Sequence, residues 1–316
     1  MADQDPCELD WVDKEDVLAQ LHTVRDFLRW SVSLFNEHQV VLGHGYDDPW
    51  DEALALVLHA LHLPWDIDVR IQDARLLTSE KHTILSLLHA RIAERRPVAY
   101  LTGQAWFVGI PFQVDQRVLI PRSPIGELIE KRFEPWIEPD QVESVLDMCT
   151  GSGCIGIACG HYFPDALIDC VDLSEAALDV AEKNVQAQGL EGQVSLIYSD
   201  LFEALDGRTY DIIVSNPPYV DKQDMDAMPD EFHHEPRMGL EAGEDGLDIV
   251  RRMLPELSRH LNPGGIAVIE VGNSWEALEQ AYPEVPFTWL AFEHGGLGVF
   301  LLTKEQIDHH QADLVL

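Results

Sequence analysis

The most constraining feature of this chain is a repeated alternation of strand and helix patterns across residues 145–302. Strand patterns, which are short apolar or β-branched runs, are predicted at 145–148, 167–171, 194–198, 211–215 and 266–271. Segments with helical spacing of apolar residues separate them, and such alternation is typical of a parallel sheet covered by helices on both faces. The sequence therefore predicts an α/β fold with a doubly wound, Rossmann-like sheet. Two final runs, at 287–292 and 299–302, predict an antiparallel C-terminal hairpin.

The N-terminal third has a different pattern. Apolar residues recur at helical spacing over residues 11–95, and Asp48 followed by Pro49 predicts a capped helix start between two of these segments. After Pro97, alternating runs up to Ile120 predict a β-hairpin linker with strands near 107–110, 112–114 and 118–120. We therefore predict three parts: a small helical domain at 1–96, a hairpin linker at 97–122 and the α/β domain at 123–316.

Charge limits the class of partner. The 316 residues include 56 Asp and Glu against 21 Lys and Arg, a formal net charge of −35. Such a chain repels the phosphate backbone of nucleic acid, so stable DNA binding is not expected. Its field attracts basic proteins and accelerates their encounter. A general acidic bias, as in salt-adapted organisms, would give the same composition, and both interpretations stay open.

The sequence shows no pattern typical of a membrane segment, a secretory signal or a metal site. No apolar run approaches the roughly 20 residues that span a bilayer, and residues 1–10 are acidic and unlike a secretory signal, so we expect a cytoplasmic protein without membrane segments. The five cysteines contain no C-x-x-C pair. The histidine pairs at 233–234 and 309–310 are adjacent and cannot share a helix face, so no metal site is predicted.

A glycine-rich turn follows the first strand of the predicted sheet. Gly151, Gly153 and Gly156 form a G-x-G-x-x-G pattern where ligands bind in such folds, beyond the carboxyl ends of the strands. The pattern also fits a dinucleotide site. Asp147 before it would repel a pyrophosphate, but it suits a cationic sulfonium such as that of S-adenosylmethionine. Asp172 and Asp200 end the next two strands and would serve the ribose hydroxyls and the adenine.

An Asn-Pro-Pro-Tyr motif at residues 216–219 follows the fourth strand. A planar amide or aromatic amine is a poor nucleophile because its lone pair is delocalised. Two acceptors, the Asn216 side-chain oxygen and the Pro217 carbonyl, would draw that lone pair out of conjugation, and Tyr219 would stack on the acceptor group. DNA adenine methyltransferases share the motif, but they would be expected to carry a basic groove or base-reading domain. A nicotinamide dehydrogenase and a non-catalytic module are weaker alternatives.

With these motifs the chain resembles the HemK-type protein glutamine methyltransferases over nearly its whole length. Segments 43–45, 50–53, 56–58 and 292–296, and Cys149 where the release-factor branch usually has glycine, resemble the ribosomal, PrmB-type branch. The resemblance implies a class I methyltransferase sheet, a helical substrate-recognition domain and conversion of S-adenosylmethionine to S-adenosylhomocysteine without a metal. The implied acceptor is a glutamine of ribosomal protein L-three of the large subunit. A release factor with a Gly-Gly-Gln loop is the alternative.

The predicted site residues form three groups. The catalytic group is Asn216, Pro217 and Tyr219. The cofactor-binding group is Asp147, Cys149, Thr150, Gly151, Gly153, Asp172, Leu173, Asp200, Leu201 and Asn216. The substrate-binding group is Asn216, Pro217, Pro218, Tyr219, Phe107 and Arg122, the last two being implied only by the resemblance. Segment 121–125 departs from the Pro-Glu-Thr-Glu run of the release-factor branch, so no role of those glutamates is placed here.

Overall fold

The computed structural model describes residues 14–315. The expectations for the acidic segment 1–10, for Cys7 and for the helical pattern at 11–13 lie outside these residues. The chain forms two compact units. One contains the described residues up to Gln104 together with Pro229–His234, and the other contains Ala105–Met228 and the residues from Glu235 onward.

The first unit is helical. Its α-helices are α1 (Lys14–Gln20), α2 (Val24–Glu37), α3 (Pro49–Ala60), α4 (Thr78–Ile92) and α5 (Val98–Thr102). The predicted start of α3 is observed, because the Asp48 side chain accepts a hydrogen bond from the backbone N–H of Trp50 and Pro49 occupies the first turn. The apolar faces of α2, α3 and α4 enclose one core that includes Phe27, Leu56 and Leu88.

The segment Pro229–His234 belongs to this helical unit although it is distant in sequence. Glu231 accepts a hydrogen bond from the Val41 backbone N–H at 3.0 Å. Its carboxylate also lies 3.5 Å from the guanidinium of Arg91, which is fully buried and donates to Glu52 at 3.0 and 3.2 Å. Burial raises the pKa of Glu52, and the Arg91 charge opposes that effect. A buried cation with carboxylates on two sides therefore holds the segment.

The second unit contains two sheets. Its strands are β1 (Gln104–Phe107), β2 (Ile110–Gln113), β3 (Ser144–Met148), β4 (Leu167–Asp172), β5 (Val194–Tyr198), β6 (Tyr210–Ser215), β7 (Leu261–Glu270), β8 (Thr288–Trp289) and β9 (Val299–Thr303). Strands β1 and β2 form a separate two-stranded sheet, and the other seven have the order β5-β4-β3-β6-β7-β9-β8. The first five of these pair in parallel, while β9 is antiparallel to both β7 and β8. The predicted doubly wound sheet with an antiparallel C-terminal pair is confirmed.

Helices connect and cover the strands. They are α6 (Ile125–Glu130), α7 (Cys154–Tyr162), α8 (Glu175–Gln188), α9 (Lys222–Ala227), α10 (Asp248–Met253), α11 (Leu257–His260), α12 (Trp275–Ala281) and α13 (Lys304–His309). Apolar side chains of the sheet separate into two buried clusters, one containing Ile212 and Val268 and the other containing Ile213 and Ile269. This alternation along β6 and β7 shows that both faces of the sheet are covered. None of the helices described is long and apolar enough to span a membrane.

The structure corrects several boundaries. Residues 118–120 are not a strand, and Val118 and Ile120 are buried in an irregular segment instead. The helical segment that the sequence predicts between the strands at 211–215 and 266–271 is divided at Pro255, where a short 3-10 turn separates α10 from α11, because proline lacks the N–H that a continuous helix needs. The predicted domain boundaries after residues 96 and 122 stay a prediction. The two structural units have no separate linker, since β1 and β2 lie mainly in the sheet unit.

Gly156 allows α7 to pack closely against the sheet. A Cβ at this position would lie 2.2 Å from Cys170 Sγ on β4 and 3.1 Å from the Asp147 side chain on β3. Real Cβ atoms do not approach so closely, so any side chain here would push α7 away from both strands. Close helix-to-strand packing is the role of the third glycine in this motif.

We expect Gly156→Ala to lower the free energy of unfolding by about 1–3 kcal/mol through overpacking, despite the better helix propensity of alanine. The matched control is Gly160→Ala in the same helix, where the nearest atom to a new Cβ is the flexible end of Leu190 at 3.2 Å. Urea denaturation of both variants measures the difference. A Gly156→Ala protein as stable as Gly160→Ala would contradict this account.

Candidate active site

A cleft opens at the carboxyl ends of β3, β4 and β6, within the sheet unit. Ten of the predicted site residues line it: Cys149, Thr150, Gly151, Asp172, Leu173, Asp200, Leu201, Asn216, Pro218 and Arg122. The sequence patterns therefore identified one shared cleft rather than several unrelated surfaces. Asp147, Gly153, Pro217, Tyr219 and Phe107 are not among the residues that line it.

Asp147 organises the glycine turn from below the cleft. Its side chain is fully buried, and Oδ2 accepts hydrogen bonds from the Thr150 hydroxyl and, at 2.8 Å, from the Gly156 backbone N–H. Its second oxygen, Oδ1, is buried without a hydrogen-bond partner. Burial raises the pKa of Asp147 to about 7, while the hydrogen bonds from Thr150 and Gly156 act in the opposite direction. The carboxylate thus shapes the turn from a position behind the cleft surface.

Asp172, at the end of β4, forms part of the cleft wall. Its two oxygens accept hydrogen bonds from the backbone N–H groups of Gly151 and Ser174, both at 2.8 Å. Burial raises its pKa, and these hydrogen bonds oppose the rise. Each carboxylate oxygen has further lone pairs, so the group is oriented and still able to accept from a ligand hydroxyl.

Asp200 has a partner that the sequence analysis did not identify. The Arg252 guanidinium donates to Asp200 Oδ1 at 2.8 Å, and Arg252 itself lines the cleft. The two residues are 52 positions apart and α10 brings them together, so no local pattern could have indicated the pair. The next residue, Leu201, has a positive φ of 50° and turns the chain sharply at this wall.

Asn216 follows β6 and faces the cleft. Its side-chain oxygen is buried and has no hydrogen-bond partner in the structure. Leaving a buried acceptor unpaired costs about 1–3 kcal/mol, so this oxygen is suited to an N–H donor from a ligand. Pro218 lines the same cleft and Pro217 is buried behind it.

The remaining predicted residues support the cleft from the core. Tyr219 donates its hydroxyl to Glu270 at 2.8 Å, and its predicted stacking on an acceptor group stays a prediction. Phe107 lies in the core, packed beside Gly126, rather than in the cleft as the resemblance implied, because its aromatic ring belongs to an apolar cluster of the sheet unit. Gly153 is the αL residue that begins α7.

Arg122 is fixed by Glu235, which sequence analysis also missed. Two guanidinium nitrogens of Arg122 donate to the two carboxylate oxygens of Glu235, at 2.6 and 2.8 Å. The Glu235 side chain is completely buried and also accepts from the Ile120 backbone N–H. This bidentate pair joins the segment before α6 to the loop after the Asn-Pro-Pro-Tyr motif, 113 residues later.

The chain is similar to known proteins over most of its length. Residues 134–244 match the family model of the methyltransferase small domain. A ribosomal protein uL3 glutamine methyltransferase of Francisella tularensis is 50% identical over 295 residues, which cover 93% of this chain and 94% of the relative. A protein of the same name from Neisseria gonorrhoeae is 50% identical over 289 residues, or 91% of this chain and 96% of the relative.

The chain belongs to the family of ribosomal protein uL3 glutamine methyltransferases. The resemblance stated from the sequence is thereby confirmed. Among solved structures, the catalytic domain of human Mettl16 bound to an RNA hairpin is similar to this chain with a TM-score of 0.48 and 17% identity over 75% of this chain and 86% of that chain. A ribosomal protein L11 methylase from Lactobacillus delbrueckii has a TM-score of 0.41 and 21% identity, covering 57% and 77% of the two chains.

In this methyltransferase the raised pKa of Asp147 makes stability depend on pH. The folded chain holds the proton with a pKa of about 7, against 3.8 for the ordinary value. The stabilisation is therefore complete below the ordinary value and is lost as the pH rises towards 7. Asp147→Asn keeps an acceptor for Thr150 and Gly156 but cannot titrate, so it should lack this contribution.

We expect the free energy of unfolding of Asp147→Asn, relative to the unsubstituted protein, to rise by up to about 3 kcal/mol between about pH 5 and about pH 8. Urea denaturation of both proteins at the two pH values gives this difference directly. Parallel pH dependence in the two proteins would show that Asp147 does not carry the titration.

Proposed function

We propose that this enzyme transfers a methyl group from S-adenosylmethionine to the side-chain amide nitrogen of a glutamine in ribosomal protein uL3 of the large subunit. Family membership supports the substrate, since both relatives described above carry that name. The observation that carries the chemistry is the buried, unpaired Asn216 oxygen in the same cleft as the glycine turn. The release-factor alternative has no comparable support from the relatives.

The cleft fits a cationic cofactor that lacks phosphate. Asp172 and Asp200 place carboxylates on its wall, and the sulfonium of such a cofactor supplies the methyl group when bound. Asp172, already oriented by Gly151 and Ser174, would accept from the ribose hydroxyls. Leu173 and Leu201 add apolar surface, and the unpaired Asp147 oxygen lies behind the turn.

Asn216 would activate the acceptor by hydrogen bonding. An amide nitrogen gains nucleophilic character when its two N–H groups are held by acceptors that favour a pyramidal geometry. The Asn216 oxygen provides one acceptor and the Pro217 carbonyl would provide the second, because the proline ring restricts the backbone direction. The barrier is lowered by orientation and by stabilising positive charge on the nitrogen, and neither effect requires a general base that removes the proton before transfer.

The formal net charge of −35 is consistent with a basic ribosomal protein as partner. Long-range attraction between opposite charges raises association rates and weakens as salt increases. The same charge disfavours nucleic acid as acceptor. We therefore propose that the enzyme meets uL3 in the cytoplasm, and that it does not form stable complexes with DNA.

Substrate identity has a direct test. Purified enzyme is incubated with methyl-labelled S-adenosylmethionine and, separately, with uL3, with a release factor and with unmethylated DNA. We expect label in uL3 alone, at a glutamine identified by mass spectrometry, with a rate that falls as ionic strength increases. Label in the release factor at an equal or greater rate would refute the proposed acceptor.

The role of Asn216 has a second test. Asn216→Ala removes the unpaired acceptor, so transfer to uL3 should fall by about 100-fold or more while cofactor affinity changes by less than about threefold. The matched control is Asn262→Ala at the opposite edge of the sheet, where the side chain only donates to Asp211 at 2.8 Å. Calorimetric titration and initial rates separate the two effects. Equal losses of binding and transfer in Asn216→Ala would mean that its role is wrongly assigned.

A further inference from the structure

A buried carboxylate connects the cleft segment that contains Ser123 with the Asn-Pro-Pro-Tyr motif. Glu270 is the last residue of β7 and only 5% exposed. Its Oε2 accepts the Ser123 hydroxyl at 2.6 Å, and its Oε1 accepts the Tyr219 hydroxyl at 2.8 Å. Ser123 lines the cleft, and Tyr219 is the last residue of the Asn-Pro-Pro-Tyr motif. The sequence patterns predict no role for the hydroxyl of Ser123 or of Tyr219.

The Tyr219 side chain is tightly held. A Cβ at Gly272 would lie 2.4 Å from its aromatic ring, so the ring packs directly on the Gly272 backbone. The Tyr219 carbonyl accepts the Ser274 hydroxyl at 2.9 Å. The Glu270 hydrogen bond therefore holds the far end of a side chain whose ring and backbone are already held by the segment after β7.

We propose that Glu270, in its ionised form, is a positioning residue that sets the geometry of the acceptor motif through Tyr219 and Ser123. This inference rests on the proposed function. An ionised carboxylate accepts from both hydroxyls at once, one at each oxygen, whereas a protonated carboxyl carries its proton on one oxygen, so the hydrogen bond at that oxygen is lost or reversed in direction. Loss or reversal of either bond releases the far end of the Tyr219 ring or the cleft segment containing Ser123, and Asn216 and Pro217 then lose part of their fixed relation to the acceptor amide.

The surroundings of Glu270 make this arrangement responsive to pH. Burial raises the pKa of Glu270, while hydrogen bonds from Ser123 and Tyr219 and the charge of Arg122 act to lower it. Burial together with Glu270 keeps the pKa of Tyr219 far above its usual range, so its hydroxyl remains a donor. Arg122 is itself paired with Glu235, the other charged group near Tyr219. Removing one hydroxyl donor should therefore raise the pKa of Glu270 further.

The test measures kcat for uL3 methylation against pH, at saturating cofactor, together with cofactor affinity. In Tyr219→Phe we expect kcat to fall about tenfold, with cofactor affinity within about threefold of the original. The pH at which activity is lost on acidification should move upward in Tyr219→Phe and in Ser123→Ala. In Glu270→Gln the acid limb should disappear and kcat should stay low at every pH, because glutamine does not titrate and, like the protonated carboxyl, accepts through one oxygen only.

The matched control is Tyr210→Phe at the beginning of β6, where the tyrosine hydroxyl donates to Asp169 at 2.8 Å, away from the cleft. It removes the same kind of tyrosine-carboxylate bond, so it should alter stability without changing kcat or the pH profile. If Glu270→Gln fails to fold, Tyr219→Phe and Ser123→Ala still provide the test. If the original enzyme methylates uL3 and the pH profiles of kcat for these two variants overlay that of the original, the proposal is overturned. Absence of uL3 methylation by the original enzyme would instead refute the proposed function.

Discussion

The site depends on the register of three parallel strands. Met148 on β3 lies beside Val171 on β4 and Ser215 on β6, so the chain leaves all three strands at the same level. The Ser215 hydroxyl donates to the Met148 carbonyl at 2.7 Å and adds a side-chain bond to the backbone pairing. A shift of one residue would move every side chain of a strand to the opposite face, where it would meet a core shaped for different side chains, so packing on both faces specifies the register. This register therefore places the glycine turn, Asp172 and Asn216 next to one another.

Buried carboxylates then attach irregular segments to this frame. Asp147 holds the glycine turn, Glu235 holds Arg122 and the Ile120 backbone, and Glu270 holds Ser123 and Tyr219. Each has at least two donors, which offsets the cost of taking a charge out of water. Each also connects residues that the helices and strands alone would leave free to move. The loops of the cleft are thus ordered by specific hydrogen bonds rather than by apolar packing alone.

Features of the fold that depend on adjacent residues could be predicted from the sequence. The strand ending at Met148, the turn at Gly151 and the capped start of α3 at Asp48 each follow from adjacent residues, and all are present. Asn216 was identified because its proline neighbours are distinctive. Glu235 and Glu270 were missed because their partners lie 113 and 51 or more residues away, and a single glutamate has no local signature. The strand predicted at 118–120 is absent from the structure, because apolar residues buried in an irregular segment have the same pattern as a strand.

The charges that line the cleft support the proposed sulfonium cofactor over a cofactor that contains phosphate. Arg117, Arg122 and Arg252 line it, and each forms a salt bridge with a carboxylate of the same unit: Asp115, Glu235 and Asp200. Each of these pairs has no net charge, so the three arginines do not make the cleft wall positive. Asp172, which has no basic partner among the contacts described above, leaves the region of the glycine turn negative. A pyrophosphate would meet carboxylates here, whereas a methyl sulfonium would be attracted. The same glycine pattern can therefore serve different cofactors, and the charges around it decide which one is accommodated.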